Sequence, residues 1–456
     1  MTERLKLQNL SPLATKAALT VDANLIDLVF AYSAGAYGSF DQPIPQPPGQ
    51  ITRAGFDAMT LNSTGDIRVQ SGGGGSRQLT LNAAQVYPVS STNARLAATE
   101  RITLGRSSTE IPNVPDSVFG TLSVFAPSID QGGILRAPLG NLLLGTTSVS
   151  DLPTPTSRVR LLPGSLTSVS GAGLTLPYGG TSDGVTYTAN GAPVSGAGSI
   201  DTFYSGVLRI NGNSVDVAPG AVLDLSGGGV IAGAGFISGR GGSVDVLKTP
   251  FINANPAFTY SAQNNAVYAI VPGYRNAYAP FDAGADVASA GRQITIGTGV
   301  PGLAPGVYTL LPAAYALLPG AYRVELGRTG TLLPTVSQVG AGTYLTSGTL
   351  GTANTGVQAA LPTQIMLTPG NVVRRHSQYN ETGYADFVRA DANRFGNLRP
   401  LLPADGRTLQ LLYGAPADGA PALKFAGSAR FDGAPGGYGG SLMIDGSTIG
   451  DRKSVV

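Results

Sequence analysis

The sequence predicts an all-β protein built mainly as a β-solenoid, a stack of short strands joined by tight corners. One phrase occurs twice, at 163–171 and 219–227: a Pro-Gly turn, a small residue, several alternating positions and a Ser-Gly step. Apolar residues at every second position give a strand one buried face, and glycine allows a sharp corner at each end. Gly and Pro account for 64 and 32 of the 456 residues, a high share that is still below the range of disordered chains.

Looser copies of the phrase occur along much of the chain. Their irregular spacing fits a solenoid whose corners carry loops of different length. Because only 12% of the residues are charged, we expect the outward strand positions to carry neutral Ser, Thr, Asn and Gln. The further predicted strands are Leu79-Thr80-Leu81, Gly65-Asp66-Ile67-Arg68-Val69, Arg101-Ile102-Thr103-Leu104, Thr121-Leu122-Ser123-Val124 and Leu142-Leu143-Leu144.

Charge and cysteine content exclude several classes of function. The formal net charge is +2 and the longest basic run is Arg374-Arg375, so the sequence predicts no nucleic-acid partner. Because Cys is absent, disulfides and Cys-based zinc sites are excluded. No signal peptide is visible at the N-terminus, no apolar run approaches 18 residues, and no cofactor is predicted.

The composition divides the chain into five expected segments. An irregular lead-in covers 1–57, and solenoid repeats cover 58–250. A Tyr- and Pro-rich irregular module is inserted at 251–404, and the solenoid returns at 405–449. Residues 450–456 match one conceptual translation of a common sequencing adapter that then reaches a stop codon, so we expect them to be an assembly artefact without function.

The inserted module carries a repeated Leu-Leu-Pro phrase at 310–315 and 317–322. Because Pro lacks an N–H and blocks a helix interior, we expect compact turns and short strands there. Only 383–395 has the spacing of a short helix.

Tyrosines concentrate in this module and form the candidate binding residues. Two interpretations stay open: an amphipathic contact surface for glycan or protein, or packing of the rings against the Leu-Pro turns. The candidate contact residues are Tyr268, Tyr274, Tyr278, Tyr308, Tyr315 and Tyr322.

Catalytic interpretations find little support in the sequence. A polysaccharide lyase or hydrolase would need clustered groups such as Asp216, Asp224, Asp245 and Arg240, yet solvated outward carboxylates explain them more simply. A Ser-His-Asp triad would have to use His376, the one histidine, with Asp386 or Asp391 to orient it. The Gly-x-Gly steps within 227–242 lack the following helix that a dinucleotide site requires.

Two segments resemble a known family. The segment 120–142, which reads GTLSVFAPSIDQGGILRAPLGNL, is similar to the repeats of filamentous-haemagglutinin-like exoproteins of Gram-negative bacteria. The Tyr and Leu-Pro block from Ala266 to Val324 resembles an uncharacterised module in the C-terminal part of such proteins. The likeness covers roughly 58–450, and the N-terminal secretion signature of the family is missing, so we expect an interior piece of a longer protein.

The resemblance implies a right-handed parallel β-helix, secretion by a two-partner system through an outer-membrane transporter, and a role in adhesion. It makes the chain a non-catalytic spacer and contact surface at the bacterial cell surface, with a host or neighbouring-cell glycan or protein as partner. Two alternatives remain: an extracellular polysaccharide lyase or hydrolase on the same scaffold, or a structural rod that displays a downstream toxin or binding tip. Carboxylates and Arg aligned along one face of the stack would favour the enzyme.

Overall fold

The structure is a computed structural model in which the chain divides into two compact units. The first consists of Met1–Gly173, Phe203–Gly229 and Leu401–Val456, and the second of Leu174–Thr202 and Val230–Pro400. The residues that it describes are 16–29, 32–33, 56–74, 76–148, 154–189, 192–195, 206–239, 244–280, 291–340, 342–416, 419 and 421–446.

The first unit contains three parallel sheets. Strands are numbered in chain order, and each sheet is given in its order of hydrogen-bonded neighbours. The first sheet contains β1 (Ala18–Ala23), β4 (Ala58–Ser63), β7 (Gln78–Ala83), β10 (Arg101–Arg106), β12 (Ser128–Gln131), β15 (Arg158–Leu161), β21 (Ser214–Val217) and β34 (Leu423–Phe425). The second contains β2 (Ile26–Leu28), β5 (Asp66–Val69), β8 (Gln85–Pro88), β13 (Ile134–Arg136), β16 (Leu166–Ser168), β22 (Val222–Asp224) and β35 (Ser428–Arg430). The third contains β3 (Tyr32–Ser33), β6 (Gly72–Gly74), β9 (Asn93–Ala97), β11 (Thr121–Phe125), β14 (Asn141–Leu144), β20 (Val207–Gly212), β33 (Thr408–Tyr413) and β36 (Ser441–Gly446).

The chain visits these sheets in rotation, so that each strand pairs with the strand one pass earlier. One pass differs, because β10 is followed directly by β11 and contributes no strand to the second sheet. The intervening segment 107–120 instead lies against that sheet. Gln85 Nε2 donates to the Asn113 carbonyl at 3.2 Å, and Ser117 Oγ donates to the Pro88 carbonyl at 2.6 Å.

A single apolar core runs through the first unit. We call the side chains at matching register positions of neighbouring strands a column. One first-sheet column places Leu61, Leu81 and Leu104 in successive layers, and all three are buried. Each buried leucine contributes about 1.5–3 kcal/mol of transfer free energy, which makes the core the main source of stability.

The two copies of the repeated phrase lie directly on one another. Strand β16 pairs in register with β22, and Gly164 N donates to the Gly220 carbonyl at 3.0 Å. The strand prediction is confirmed here, but the expectation that the polar positions face outward is wrong for β16, where Thr167 is buried and matches Leu223.

A buried amide explains the polar interior at this point. Gln131, which takes the column position after Leu104, is fully buried. Its Nε2 lies within hydrogen-bond distance of the Gly133 and Leu166 carbonyls and of Thr167 Oγ1, at 3.1, 3.2 and 3.3 Å. Because the buried Gln131 amide is next to the Thr167 hydroxyl, both polar groups have hydrogen-bond partners inside the core, and the inner face of β16 tolerates a hydroxyl.

The second unit is built around an antiparallel sheet of seven strands. Its core contains buried Ile, Leu and Val from the central strands, together with Tyr322. In spatial order the strands are β25 (Ala266–Ile270), β28 (Tyr322–Thr329), β31 (Thr363–Pro369), β30 (Thr343–Thr352), β26 (Arg292–Ile296) and β27 (Gly306–Thr309), with β29 (Ser337–Val339) paired to β30.

Shorter elements complete the second unit. The sequence-based expectation of a helix at 383–395 is confirmed by the longest described helix, which ends at Gly396 with a left-handed φ of 65°. The Leu-Pro phrase forms a short 3-10 helix, Ala313–Leu317, in agreement with the expected compact turns. The remaining elements are the paired strands β17 (Thr175–Pro177) with β23 (Val230–Ala232), β18 (Tyr187–Ala189) with β19 (Ala192–Ser195) and β24 (Gly235–Phe236) with β32 (Tyr379–Asn380), and the helices α1 (Phe251–Ala254), α2 (Gly370–His376) and α3 (Tyr384–Phe395).

The fold is therefore mostly β with parallel sheets, as expected, but the unit boundaries differ from the expected segments. Strands β1 and β2 pair with β4 and β5, so part of the expected irregular lead-in belongs to the first unit. The second unit begins again at Val230 rather than at 251, and it includes Leu174–Thr202. Parallel strands resume with β33, close to the expected return at 405. Residues 450–456 lie outside the described part of the chain.

Candidate functional site

The candidate tyrosines fall into two groups in the second unit. Tyr315 and Tyr322 form the buried group, and Tyr322 belongs to the core of the antiparallel sheet. Tyr322 is 5% exposed and its hydroxyl donates to the Pro301 carbonyl, while Tyr315 is 4% exposed. Of the two interpretations left open, burial favours packing for Tyr315 and Tyr322.

The other tyrosines keep part of their surface in solvent. Tyr274 and Tyr278 are half-buried, and the Tyr274 hydroxyl lies 3.4 Å from the Tyr278 carbonyl. Tyr268 is also half-buried, and its hydroxyl accepts a hydrogen bond from Arg292 Nη1 at 2.7 Å. Tyr308 donates to the Ala304 carbonyl at 2.6 Å. These four residues retain the chemistry of a contact surface.

The second unit also has an open cleft at the end of the Leu-Pro phrase. The cleft has a volume of about 330 Å³ and lies between the 318–322 turn and the start of α2. One wall is formed by Pro319 and the other by Asn371 and Arg374. Arg374 is held by Glu381 through Nε–Oε1 and Nη2–Oε2 distances of 2.5 and 2.7 Å, which raises the pKa of Arg374. The cleft therefore combines apolar walls with an amide and a fixed guanidinium.

A buried ion pair lies beneath the antiparallel sheet. Arg323 and Glu325 are fully buried on β28, and Arg323 Nη2 donates to Glu325 Oε2 at 2.9 Å. The guanidinium carbon lies 3.9 Å from the centre of the Phe251 ring. Burial lowers the pKa of Arg323, while the Glu325 carboxylate opposes that shift. Sequence reasoning missed this pair, although charged residues two apart on one strand share a face.

Three other donors complete the shell around the Glu325 carboxylate. They are Phe251 N at 3.1 Å, Ser261 Oγ at 2.5 Å and Asn265 Nδ2 at 2.8 Å. On the other side, Arg323 donates to the Val246 carbonyl at 2.6 Å. These donors come from several loops, so the Glu325 carboxylate ties those loops together.

His376 lies among aromatic rings rather than beside a carboxylate. Its ring centre is 4.7 Å from that of Phe251 and 5.5 Å from that of Phe258. Burial and the positive charge of Arg323 lower the pKa of His376. Asp386 and Asp391 instead pair with Arg389 and Arg394 within α3. The triad interpretation therefore lacks its orienting carboxylate in the described part of the chain.

In the first unit, charged residues line up along the second sheet. Asp27 and Arg68 occupy adjacent positions of one column and form two contacts, Nε–Oδ1 at 2.5 Å and Nη2–Oδ2 at 2.7 Å. Burial opposes the charge of Arg68, but Asp27 holds its pKa above the usual value. Farther along the sheet, Arg136 precedes Ser168, Asp224 and Arg430 in the same column.

Arg136 is 6% exposed, and its Nε and Nη1 have no hydrogen-bond partner among the described residues. Burial lowers the pKa of Arg136 against the attraction of Asp224 and Asp66, and burial likewise raises the pKa of Asp66.

The first sheet carries a second column of alternating charge: Asp130, Arg160, Asp216 and Lys424. Asp130 and Arg160 form a paired contact with distances of 2.7 and 2.8 Å. Opposite charges at matched positions stabilise one register of a parallel pair over a shifted one. The carboxylate of Asp130 is neutralised by its neighbour, which does not suit an acid or a nucleophile.

The four residues considered for polysaccharide chemistry do not form one cluster. Asp216 lies on the first sheet and Asp224 on the second, where Asp224 accepts from the Ser226 and Ser168 hydroxyls at 2.7 and 3.2 Å. Asp245 belongs to the second unit and accepts from the Tyr379 hydroxyl at 2.7 Å. Arg240 lies outside the described residues.

Close contacts explain the glycine-rich tract without a nucleotide. A Cβ on Gly227 would lie 2.0 Å from the Ala404 carbonyl oxygen, and one on Gly233 would lie 2.3 Å from the Tyr187 hydroxyl. Both positions therefore require glycine for packing.

The described residues lack both a metal-binding cluster and a membrane-spanning helix. They contain no group of three or more His, Cys, Asp or Glu side chains placed to hold a metal ion. None of their helices is long and apolar enough to cross a membrane.

No protein family, curated protein or solved structure is significantly similar to this chain. Only the geometry of the chain itself therefore bears on its function.

Proposed function

We propose that this chain is a non-catalytic segment of a secreted, adhesin-like exoprotein at the bacterial cell surface. In this proposal the first unit is a right-handed parallel β-helix that serves as a rigid spacer, and the second unit supplies the contact surface. The full-length protein would be exported through an outer-membrane transporter of the two-partner type. Its partner would be a glycan or protein on a host or neighbouring cell.

The rotation of the chain through three parallel sheets is the observation that carries this proposal. Such a stack grows in one direction and makes each layer depend on its neighbours. Eight strands in one sheet span roughly 34 Å, because adjacent strands lie about 4.8 Å apart. Parallel crossovers are right-handed in nearly all proteins, which supports that hand for the coil.

The side-chain columns support a spacer because they fix the register along the stack. Asn82 Nδ2 donates to Asn62 Oδ1 at 2.9 Å, and Asn62 Nδ2 donates to Asp22 Oδ1 at 2.8 Å, so an amide ladder follows the first three layers. The ion pairs Arg68–Asp27 and Arg160–Asp130 likewise join neighbouring strands in other layers. Paired polar side chains between layers resist sliding of one strand along the next.

The cleft beside Arg374 supports a contact role for the second unit. Pro319 and Pro369 offer apolar faces to a sugar ring or a peptide, and Asn371 offers an amide for directional hydrogen bonds.

Adhesion of coated beads tests the proposal. Beads carrying the purified chain should bind to host or bacterial cells above the level of albumin-coated beads. The substitution Asn371→Trp should fill the cleft and reduce binding, whereas Asn397→Trp, on the loop after α3, is the control and should leave it unchanged. Equal binding by chain-coated and albumin-coated beads would contradict the contact role.

A polysaccharide-processing enzyme is the second candidate, since carboxylates and Arg do line up along the first and second sheets. Incubation with acidic and neutral polysaccharides should then release new reducing ends or unsaturated uronates. An Asp216→Asn variant should abolish that release. No release from any polysaccharide would leave the aligned charges with a purely structural role.

A further inference from the structure

A short segment of chain covers part of the buried ion pair in the second unit. We call this segment, residues 250–261, the flap; it contains α1 and the turns that follow it. The Phe251 ring lies against the Arg323 guanidinium, and both Phe251 N and Ser261 Oγ donate to Glu325. Lifting the flap would therefore expose both charged groups to water.

Few hydrogen bonds join the flap to the rest of the second unit. In the described chain its backbone-to-backbone hydrogen bonds are internal, such as the bond from Ser261 N to the Phe258 carbonyl at 3.0 Å. Its bonds to other parts of the unit are those to Glu325 and one from Gln364 Nε2 to a flap carbonyl at 3.3 Å. A segment held in this way can open locally while the sheet beneath it stays folded.

Two aromatic side chains anchor the flap. The rings of Phe251 and Phe258 stack with their centres 5.0 Å apart, and both belong to a small apolar cluster that includes Val373 of α2. The ring of His376, the last residue of α2, contacts both of these rings. His376 therefore links α2 to both anchors of the flap.

The surroundings of His376 suit the uncharged ring. Its Nε2 is buried and has no hydrogen-bond partner among the described residues. The neutral ring can carry its proton on Nδ1, whereas the charged ring must also carry one on Nε2. A charged N–H would then be buried without an acceptor, which is costly. This agrees with the lowered pKa of His376, whose causes are burial and the positive charge of Arg323.

The aromatic rings offer protonated His376 little compensation. A phenyl face attracts a positive charge, but the Phe251 ring already has the Arg323 guanidinium carbon 3.9 Å from its centre. A protonated His376 would bring a second positive charge to the same ring. The other charged or titratable groups on the elements around His376 are Glu325 on β28, Asp245 and Lys248 before the flap, Tyr260 on the flap, Arg374 and Arg375 on α2, and Tyr379 and Glu381 after α2.

We propose that the flap is an acid-sensitive lid: protonation of His376 releases Phe251 and Phe258, and the flap opens while the antiparallel sheet stays folded. The sheet keeps its own core, which contains Ile365 and Leu367 and no flap residue. Opening exposes Arg323 and the Glu325 carboxylate. The lid belongs to the second unit by itself and does not depend on adhesion or on the cleft.

A single thiol can report on the opening, because the chain contains no Cys. Ser261→Cys places the thiol at a flap position that is 7% exposed. Ala257→Cys, at an exposed position of the same flap, is the matched control. Both variants are labelled with dithiodipyridine at each pH. The ratio of the two labelling rates measures the open fraction, since the control corrects for the reagent and for thiol ionisation.

The ratio should rise as the pH falls from 8 to 5. If opening restores the ordinary pKa of 6.5 to His376, the open fraction at pH 5 rises by at most about thirtyfold. His376→Phe keeps an aromatic ring beside both anchors without a titratable group, so in this background the ratio should stay at its pH 8 value. A ratio that is independent of pH in the presence of His376 would overturn the proposal.

Other causes of a rise are separated by further variants. A rise that persists in both His376→Phe and His376→Gln would assign it to the carboxylates and refute the role of His376. Phe258→Ala removes one anchor and should raise the ratio already at pH 8, whereas Phe395→Ala, at the exposed end of α3, should not.

Hydrogen exchange distinguishes a lid from unfolding of the whole unit. At pH 5 the amides of β31 should stay protected while the Phe251 amide, whose acceptor is Glu325, exchanges faster after correction for the intrinsic rate. Equal loss of protection in β31 and in the flap would show that the unit unfolds as one body, and it would overturn the proposal.

Discussion

Replacing Glu325 by Leu should strongly destabilise the second unit. The substitution preserves most of the side-chain volume, removes the charge that balances Arg323, and leaves Ser261 and Asn265 without their acceptor. Removing one member of a buried pair costs about 3–5 kcal/mol, because the remaining charge stays desolvated. We therefore expect the free energy of unfolding of this unit to fall by about that amount.

Urea unfolding measures the loss, with tyrosine fluorescence as the signal because the chain has 18 Tyr and no Trp. Hydrogen exchange in β28 and β31 assigns the transition to the second unit. The Arg323→Met, Glu325→Leu double variant should be less destabilised than the sum of the single variants by about 1–3 kcal/mol. Asp386→Ala, which removes an exposed pair on α3, is the control and should cost less than about 0.5 kcal/mol. A loss below about 1 kcal/mol in Glu325→Leu would refute the reasoning.

Three further predictions concern packing and pH. Leu81→Ala should destabilise the first unit by about 2–5 kcal/mol in urea unfolding, whereas Leu398→Ala, at a side chain that is 94% exposed, should leave it unchanged. Gly140→Ala should lower the melting temperature of the first unit, since a Cβ there would lie 2.0 Å from the Gly120 carbonyl oxygen; an unchanged value would contradict this. Because the folded-state pKa of His376 lies below its ordinary value of 6.5, the unfolded chain binds the proton more tightly, and stability should fall as pH decreases below about 6.5. His376→Asn should lose that part of the pH dependence in thermal unfolding, and an unaltered profile would exclude His376 as its source.

The strands were predictable because their signal is local. Alternation of apolar residues at 79–81 and 101–104 identifies β7 and β10, and the spacing at 383–395 identifies α3. It is harder to predict which residues of a strand point into the core. In β16 the inward residue is Thr167, because the side chain of Gln131, 36 residues earlier in the chain, gives its hydroxyl a buried hydrogen-bond partner. Only the assembled stack shows that partner.

The candidate site was less predictable than the fold. Tyr322 belongs to a Tyr-rich segment that suggests a surface, yet its ring fills the core of the sheet. The Asp130 and Arg160 pair joins residues 30 apart, and Arg323 needs acceptors 74 and 77 residues earlier in the chain. Contacts between residues so far apart produce no repeating pattern in the sequence. The Arg-x-Glu pattern of 323–325, in contrast, does show that both charges share one face of a strand.

The continuity of the third sheet across a long stretch of chain has a consequence for how such proteins change. Strand β20 pairs with β33 over six consecutive residues, although nearly two hundred residues separate them in sequence. At the point of departure, Gly228 N donates to the Pro403 carbonyl at 2.7 Å, so the chain leaves and re-enters the first unit at adjacent positions. The sequence between these positions can therefore change without altering the register of β20 and β33, as long as β17 keeps its partner β23. The length of the intervening chain is not fixed by the third sheet, so insertions and deletions there leave its strand pairing intact.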